Sequence, residues 1–245
     1  MPLLSIIIPA YNEEKTLATI VLKVLAITLP EGFKKEIIIC DDCSTDQTNL
    51  IATTLASQHA EIKLLRNPKN LGKTQTVRQG LLASSGDFVI IQDADLEYDP
   101  EDIIFLLQET LRQQADVCYG NRFGKYNGVI YLQNFYGNLF LSAISSLFTS
   151  FRLRVVIPDM EVCYKLIRGD IARELADKIT AISNFGFEPE ITARLSRYKK
   201  PDGSCLRFLI LPISYYPRSV AEGKKMRAVR DGLLALWEIF KYNLF

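Results

Sequence analysis

Asp93 and Asp95 are separated by one residue and follow the apolar run Val89-Ile90-Ile91-Gln92. Two carboxylates so spaced at a strand end can both face a hard divalent cation, which takes oxygen ligands. A cation held there and bridging a diphosphate would neutralise the charge that collects as the diphosphate departs. Asp93-Ala94-Asp95 in a solvated turn would do no such work, and it is the preceding strand that argues against that alternative. Glu97 either adds a ligand or begins the helix announced by Pro100-Glu101-Asp102. Asp41 and Asp42 end a second apolar run. They offer hydrogen-bond acceptors to a base or ribose, or they cap the turn that Ser44 and Asp46 are also placed to cap.

Arg122, Arg218, Lys224 and Lys225 lie beyond these strand ends. Arginine suits bidentate phosphate contact and lysine acts as a point charge, although lone basic residues are more often solvated surface. Cys40-Asp41-Asp42-Cys43 has the spacing of a redox or zinc motif. Two carboxylates between the thiols would raise their pKa, and no second such pair exists to complete a zinc site. His59 is the single histidine, which leaves histidine-based triads and metal sites without material.

The elements that must position these groups alternate. Leu4–Pro9 reads as a buried strand stopped by proline. Asn12 reads as a cap, Glu13 and Glu14 suit a helix N-terminus, and apolar residues recur to Leu25. Strands at Glu36–Cys40, Ile62–Leu65 and Asp87–Gln92 follow, with helices between them. Further strands are expected at Asp116–Gly120 and Phe208–Ile213. This order predicts an α/β fold with a mostly parallel central sheet flanked by helices. Ligands of such sheets bind beyond the carboxyl ends of the strands, where Tyr11–Glu13, Asp41–Asp46 and Asp93–Asp95 all fall.

Bulk properties narrow the classes. The chain has 245 residues and a formal net charge of +1, so it lacks the basic field that nucleic-acid binding needs. Five scattered cysteines suit a reducing, cytoplasmic compartment. No signal peptide is evident, and no apolar run reaches the ~18 residues of a membrane span. Between Lys125 and Arg152 there is no charge, and Leu139–Phe151 is mostly apolar. That segment reads as a buried helix or an interfacial one. From Met226 to Phe245, Val229, Leu233, Trp237, Phe240 and Leu244 trace a helical stripe flanked by Arg227, Arg230 and Lys241. The stripe suits packing on the same domain, a homodimer, or peripheral contact at the inner face of a membrane.

Taken in order, the motifs resemble family 2 glycosyltransferases of GT-A fold, and within them the dolichyl-phosphate mannose synthase-like bacterial members. The resemblance rests on Ser5–Glu13, Asp41–Thr48, Asn70-Leu71-Gly72-Lys73, Gln92–Leu96 and Gly120–Phe123. It continues through Asp159–Lys165, Phe187–Ala193, Pro212–Arg218 and Glu222–Lys225. Cys43 stands where glycine is usual. The stretch 126–138, where the mannose synthases carry arginines for an acceptor phosphate, is uncharged.

The resemblance implies one domain over 1–245, with 1–120 mainly binding a nucleotide sugar and 121–245 mainly on the acceptor side. It implies inverting transfer of a hexose from GDP-mannose or a UDP-sugar to a polyprenyl-phosphate-type lipid. Asp93, Asp95 and Glu97 would hold Mg2+ or Mn2+. Asp95, Arg122 and Arg218 would carry the catalysis, and Pro9, Tyr11, Glu13, Asp41, Asp42, Asp93, Ala94 and Lys224 would contact the donor. A hydroxyl acceptor would instead need a carboxylate base, with Glu188, Glu190 and Asp159 as candidates. A nucleotidyltransferase lacks its glycine- and lysine-rich loop here, and a non-catalytic sugar-nucleotide binder would show no donor turnover.

Overall fold

The computed structural model describes residues 1–30, 32–125, 132–183, 186–218 and 228–244. In chain order the strands are β1 Leu3–Ala10, β2 Lys34–Asp41, β3 Ile62–Arg66, β4 Phe88–Ile91, β5 Val117–Asn121, β6 Lys165–Arg168 and β7 Phe208–Pro212. The helices are α1 Leu17–Ala26, α2 Thr48–Gln58, α3 Lys73–Ala83, α4 Glu101–Arg112, α5 Leu132–Leu153, α6 Gly169–Asp177, α7 Phe187–Arg197 and α8 Ala228–Leu244. Among the described residues they build one seven-stranded sheet in the order β3-β2-β1-β4-β6-β5-β7. The sheet is parallel except at β6, which runs against both β4 and β5.

The central strands are covered on both faces, so they read as continuous apolar runs. In β1, Ile6, Ile7 and Ile8 are all fully buried, each stabilising the fold by about 1.5–3 kcal/mol. Helix α1 turns Leu17, Ile20, Val21 and Val24 inward, the spacing of one helical face. Helix α3 lies on β1 and β2, where Gly80 makes close packing possible: a β-carbon there would stand 2.5 Å from Ile7 Cγ2. One contiguous apolar core runs from Leu4 to Ile239 in α8.

Several expectations are corrected. Pro9 does not stop β1, which continues to Ala10. Asn12 caps no helix. It sits in the left-handed region at φ 54°, and α1 begins only at Leu17. β6 and α6 were not anticipated; β6 is four residues long and opens on a lysine, so it shows no alternation. Helix α5 starts at Leu132, seven residues before the expected apolar stretch.

Candidate active site

The loops that leave β1, β2 and β4 meet at one edge of the sheet. After β1, the Asn12 amide donates to Ser44 Oγ at 3.0 Å, and Asn12 Oδ1 accepts from the Thr45 amide at 2.9 Å. The Glu13 amide donates to Thr48 Oγ1 at 2.8 Å. The loop after β1 is thus tied to the loop after β2. Tyr11 stays 39% exposed at the mouth, with half-buried Pro9 behind it in β1.

Asp41 and Asp42 are buried, and both shape the backbone around them. Asp41 accepts from the Ser44 amide and from Asn49 Nδ2, both at 3.0 Å, with Arg66 at 3.3 Å. Asp42 accepts from Asn67 Nδ2 and from the Leu71 and Gly72 amides, all at 2.8 Å. Asp41 thus holds the turn after β2, and Asp42 the loop that leads into α3. Cys43 between them and Ser44 holds φ 59°, a left-handed position that glycine fills at least cost. Its neighbour Cys40 is buried, which pushes its thiol up to about 12 and makes it inert.

Beyond β4 the acidic groups each have a cation. Asp93 Oδ1 lies 2.9 Å from Lys73 Nζ, at the start of α3, and Lys73 also reaches Glu188 at 3.7 Å. Burial disfavours the Lys73 charge, but Asp93 and Glu188 outweigh it and hold its pKa well above the ordinary lysine value. Asp95 Oδ2 pairs with Arg218 Nη2 at 2.8 Å. Burial, then the charges of Asp93 and Glu97, push Asp95 up to about 7 against the pull of Arg218. The edge therefore holds more carboxylate charge than its cations offset.

Glu97 has a different task. Its Oε1 accepts from the Arg218 amide at 2.9 Å and its Oε2 from the Tyr215 hydroxyl at 2.8 Å. The Tyr216 amide binds the Glu97 carbonyl at 2.8 Å. With both oxygens engaged, Glu97 fastens the 215–218 segment to the site; Asp95 is engaged as fully, its Oδ1 accepting from the Glu97 amide at 3.2 Å and its Oδ2 from Arg218 at 2.8 Å. Among the described residues no three His, Cys, Asp or Glu side chains group around a single ion position. Two half-shielded carboxylates still suit a hard ion that completes its shell with water and phosphate oxygens. Arg218 adds a second sign of an anionic ligand, because its Nε is buried without a hydrogen-bond partner.

Arg122 is placed differently from the expectation of direct diphosphate contact. Its Nε and Nη2 grip Asp159 at 2.8 and 2.6 Å, and its amide also donates to Asp159 at 2.9 Å. It reaches the site through Tyr215, whose ring it faces. Lys224 and Lys225 lie outside the described residues.

The three base candidates separate. Asp159 is locked by Arg122. Glu190 is fully buried and accepts from Thr180, Ala181 and Arg194. Glu188 shares Lys73 with Asp93, lying 3.7 Å from its Nζ. Glu161, which sequence reasoning passed over, has a buried Oε1 with no hydrogen-bond partner. Burial and Glu188 push it up to about 8, with Lys165 and Arg122 pulling the other way. Lys73 and Tyr215 lie within the sequence motifs but carry no expected role of their own. The signal for Lys73 was Gly72 just before it, at φ 82°, opening a helix beneath the aspartates.

A model of the family described as Glycosyl transferase family 2 matches residues 5–176. A dolichol-phosphate mannosyltransferase from Pyrococcus furiosus is 34% identical over 121 residues, covering 49% of this chain and 33% of that protein. A dodecaprenyl-phosphate galacturonate synthase from Rhizobium johnstonii is 28% identical over 127 residues, covering 51% and 38%. The matches thus span well under half the length of those relatives. In fold, the chain is similar to glucosyl-3-phosphoglycerate synthase from Mycobacterium tuberculosis, solved with Mn2+, uridine diphosphate and glucosyl-3-phosphoglycerate. The TM-score is 0.66 at 18% identity, over 99% of this chain and 80% of that one. Mannosyl-3-phosphoglycerate synthase from Rubrobacter xylanophilus gives 0.68 at 15%, over 98% and 72%.

Proposed function

Because this chain belongs to glycosyl transferase family 2, we propose that it is a hexosyltransferase moving a sugar from GDP-mannose or a UDP-sugar to a polyprenyl-phosphate-type lipid. The observation that carries this reading is the pairing of Asp95 with Arg218, whose buried Nε lacks a partner. Carboxylates set around a guanidinium, here Asp95, Glu97 and Glu13 around Arg218, suit a metal-bound diphosphate. The two relatives are each named for joining a sugar to a prenyl phosphate, which supports the acceptor class.

Asp93 and Asp95 would hold Mg2+ or Mn2+, which when bound supplies charge neutralisation on the leaving nucleoside diphosphate. The chain's own groups do the rest. Arg218, placed among Asp95, Glu97 and Glu13, would meet phosphate oxygen, and Lys73 pairs with Asp93 at 2.9 Å. The segments that Asp41 and Asp42 hold in shape, with Tyr11 and Glu13, receive the nucleoside, so donor binding belongs mainly to residues 1–120. The acceptor attacks from the face opposite the diphosphate and inverts the anomeric centre. A phosphate acceptor is largely ionised near neutral pH, its second pKa being about 6, and needs no base. Transfer to a hydroxyl is the second reading, favoured by one observation: Glu188 stands 3.7 Å from Lys73 beside the aspartates, a carboxylate that could take a proton. Either reaction would take place at the cytoplasmic face of a membrane or in the cytoplasm.

The test is a panel of nucleotide sugars with Mn2+ and a short-chain polyprenyl phosphate, analysed by mass spectrometry. A glycosyl phospholipid with metal-dependent release of nucleoside diphosphate is expected. Release of nucleotide monophosphate, or no turnover of any donor, would overturn the reading.

A further inference from the structure

Helix α5 leaves a stripe of large apolar side chains in water: Leu132, Tyr136, Phe140, Leu147 and Phe151. Their spacing puts them along one side of the helix, over about 28 Å at its rise of about 1.5 Å per residue. Leu147 is 79% exposed and Phe151 91%. Helix α8 packs beside α5 and exposes Leu233, Trp237 and Leu244. Phe148 and Phe240 meet edge to face between the helices, with ring centres 5.7 Å apart. Leu147 and Phe151 flank the first of these rings, and Trp237 and Leu244 lie one turn to either side of the second. The two stripes therefore join into one surface, of a kind that soluble chains seldom leave uncovered.

Where this surface reaches the end of α5 it meets cations. Arg152 and Arg154 follow Phe151 and are exposed. Arg197, from the end of α7, reaches the last turn of α8, donating to the Tyr242 and Asn243 carbonyls at 2.5 and 2.7 Å. Burial and then the charges of Arg152 and Arg194 lower its pKa, so positive charge is crowded there. Arg154 in turn lies near Lys199, both acting on the Cys205 thiol. Among the described residues, neither Arg152, Arg154, Arg197 nor Lys199 has a carboxylate within ion-pair distance. The helix carbonyls they touch carry only partial charge.

We propose that this face docks the protein on a bilayer containing anionic lipids, with Leu147, Phe151, Trp237 and Leu244 entering the headgroup layer and the four cations meeting lipid phosphates. The cations decide between a membrane and a second copy of the chain. Helix α5 contains no Asp or Glu, and Glu238 of α8 is buried and engaged by Ser183 and Lys241, whereas anionic headgroups answer the cations directly. Among the described residues no helix is long and apolar enough to cross a membrane. The choice of a membrane rests on the reading of a lipid-borne acceptor.

Cosedimentation of the whole chain at low salt tests it, with vesicles of phosphatidylcholine alone or mixed with phosphatidylglycerol. Binding to the mixed vesicles only is expected, weakening as salt is added. The double variant Leu147→Ser, Phe151→Ser should lose it, and Arg152→Gln and Arg154→Gln should each weaken it about fivefold. These positions are exposed, so circular dichroism and metal-dependent donor hydrolysis without vesicles should be unchanged. No cosedimentation of the wild type overturns the proposal. So does a dimer in sedimentation velocity that Leu147→Ser, Phe151→Ser dissolves while vesicle binding persists. Docking without transfer to any lipid phosphate supports this proposal and overturns the acceptor assignment instead.

Discussion

The guanidinium carbon of Arg122 stands 5.1 Å from the centre of the Tyr215 ring. That contact completes a chain running from Asp159 through Arg122 and Tyr215 to Glu97, and from Glu97 to Arg218 and Asp95. Planar stacking and a two-pronged grip on a carboxylate are both particular to arginine. Arg122→Lys should therefore lower turnover by about 10–100-fold, the scale of a misplaced catalytic group, while leaving the melting temperature within a few degrees. Unchanged kinetics would remove Arg122 from the site and leave it a structural residue.

Asp95→Ala should reduce transfer by at least about 10²–10³-fold, the loss seen when one transition-state electrostatic contact is removed. Far-ultraviolet circular dichroism should match wild type, because the residue sits at a loop edge and not in the core. EDTA should abolish activity, and Mn2+ or Mg2+ should restore it. Full turnover in chelated buffer would sink the metal assignment to Asp93 and Asp95.

Glu188→Gln separates the two acceptor classes. With a phosphate acceptor no base is required, so turnover should fall less than about tenfold. With a hydroxyl acceptor it should fall about 10²–10⁴-fold, the usual contribution of general base catalysis. The pH profile gives an independent reading, since only the second case loses a limb that depends on Glu188.

Far from the site, Glu36 joins β2 to β1 and to the turn before β4. Burial opposes its charge, but hydrogen bonds from Lys63, Ser5 and Ser85 prevail and depress its pKa from 4.5 to about 2. A carboxylate whose folded pKa is depressed stabilises above its unfolded value, and that stability is lost as pH falls through the folded one. Glu36→Gln should cost about 1–3 kcal/mol at neutral pH. The gap from wild type should hold above pH 4.5 and close towards pH 2, measured by urea unfolding. A gap independent of pH would mean that packing, and not charge, is responsible.

Much of the donor half was legible because its signals are local. Ile6–Ile8 and Ile37–Ile39 announce buried parallel strands, and Asp93-x-Asp95 follows the next one directly. What escaped depends on contacts between distant segments. Nothing near Asn12 reveals that its side chain is claimed by Thr45, which bends the chain and delays α1 to Leu17. Nothing near Glu97 reveals that Tyr215 and Arg218 will occupy both its oxygens. The helical period of α8 was correct, yet periodicity does not say which residue meets a neighbour: Phe240 packs against Phe148, while Trp237 is left in water. The basic residues beside that surface come from α5 and just past its end, from α7 and from the turn after α7, which no single-helix pattern contains.

The reversed strand β6 has a consequence for how this chain can change. Because β6 runs back alongside β5, with Tyr119 opposite Lys165, everything between them leaves and rejoins the sheet at nearly one point. The three bonds between Arg122 and Asp159 cinch the neck of that excursion. The described part of the excursion, residues 132–158, is a cassette hung from that collar, with α5 resting on α7 and α8 and adding Leu141 and Leu153 to the core. Lengthening or replacing the cassette would re-tailor what the molecule settles on and which acceptor it admits. The aspartates at the end of β4 would stay where they are.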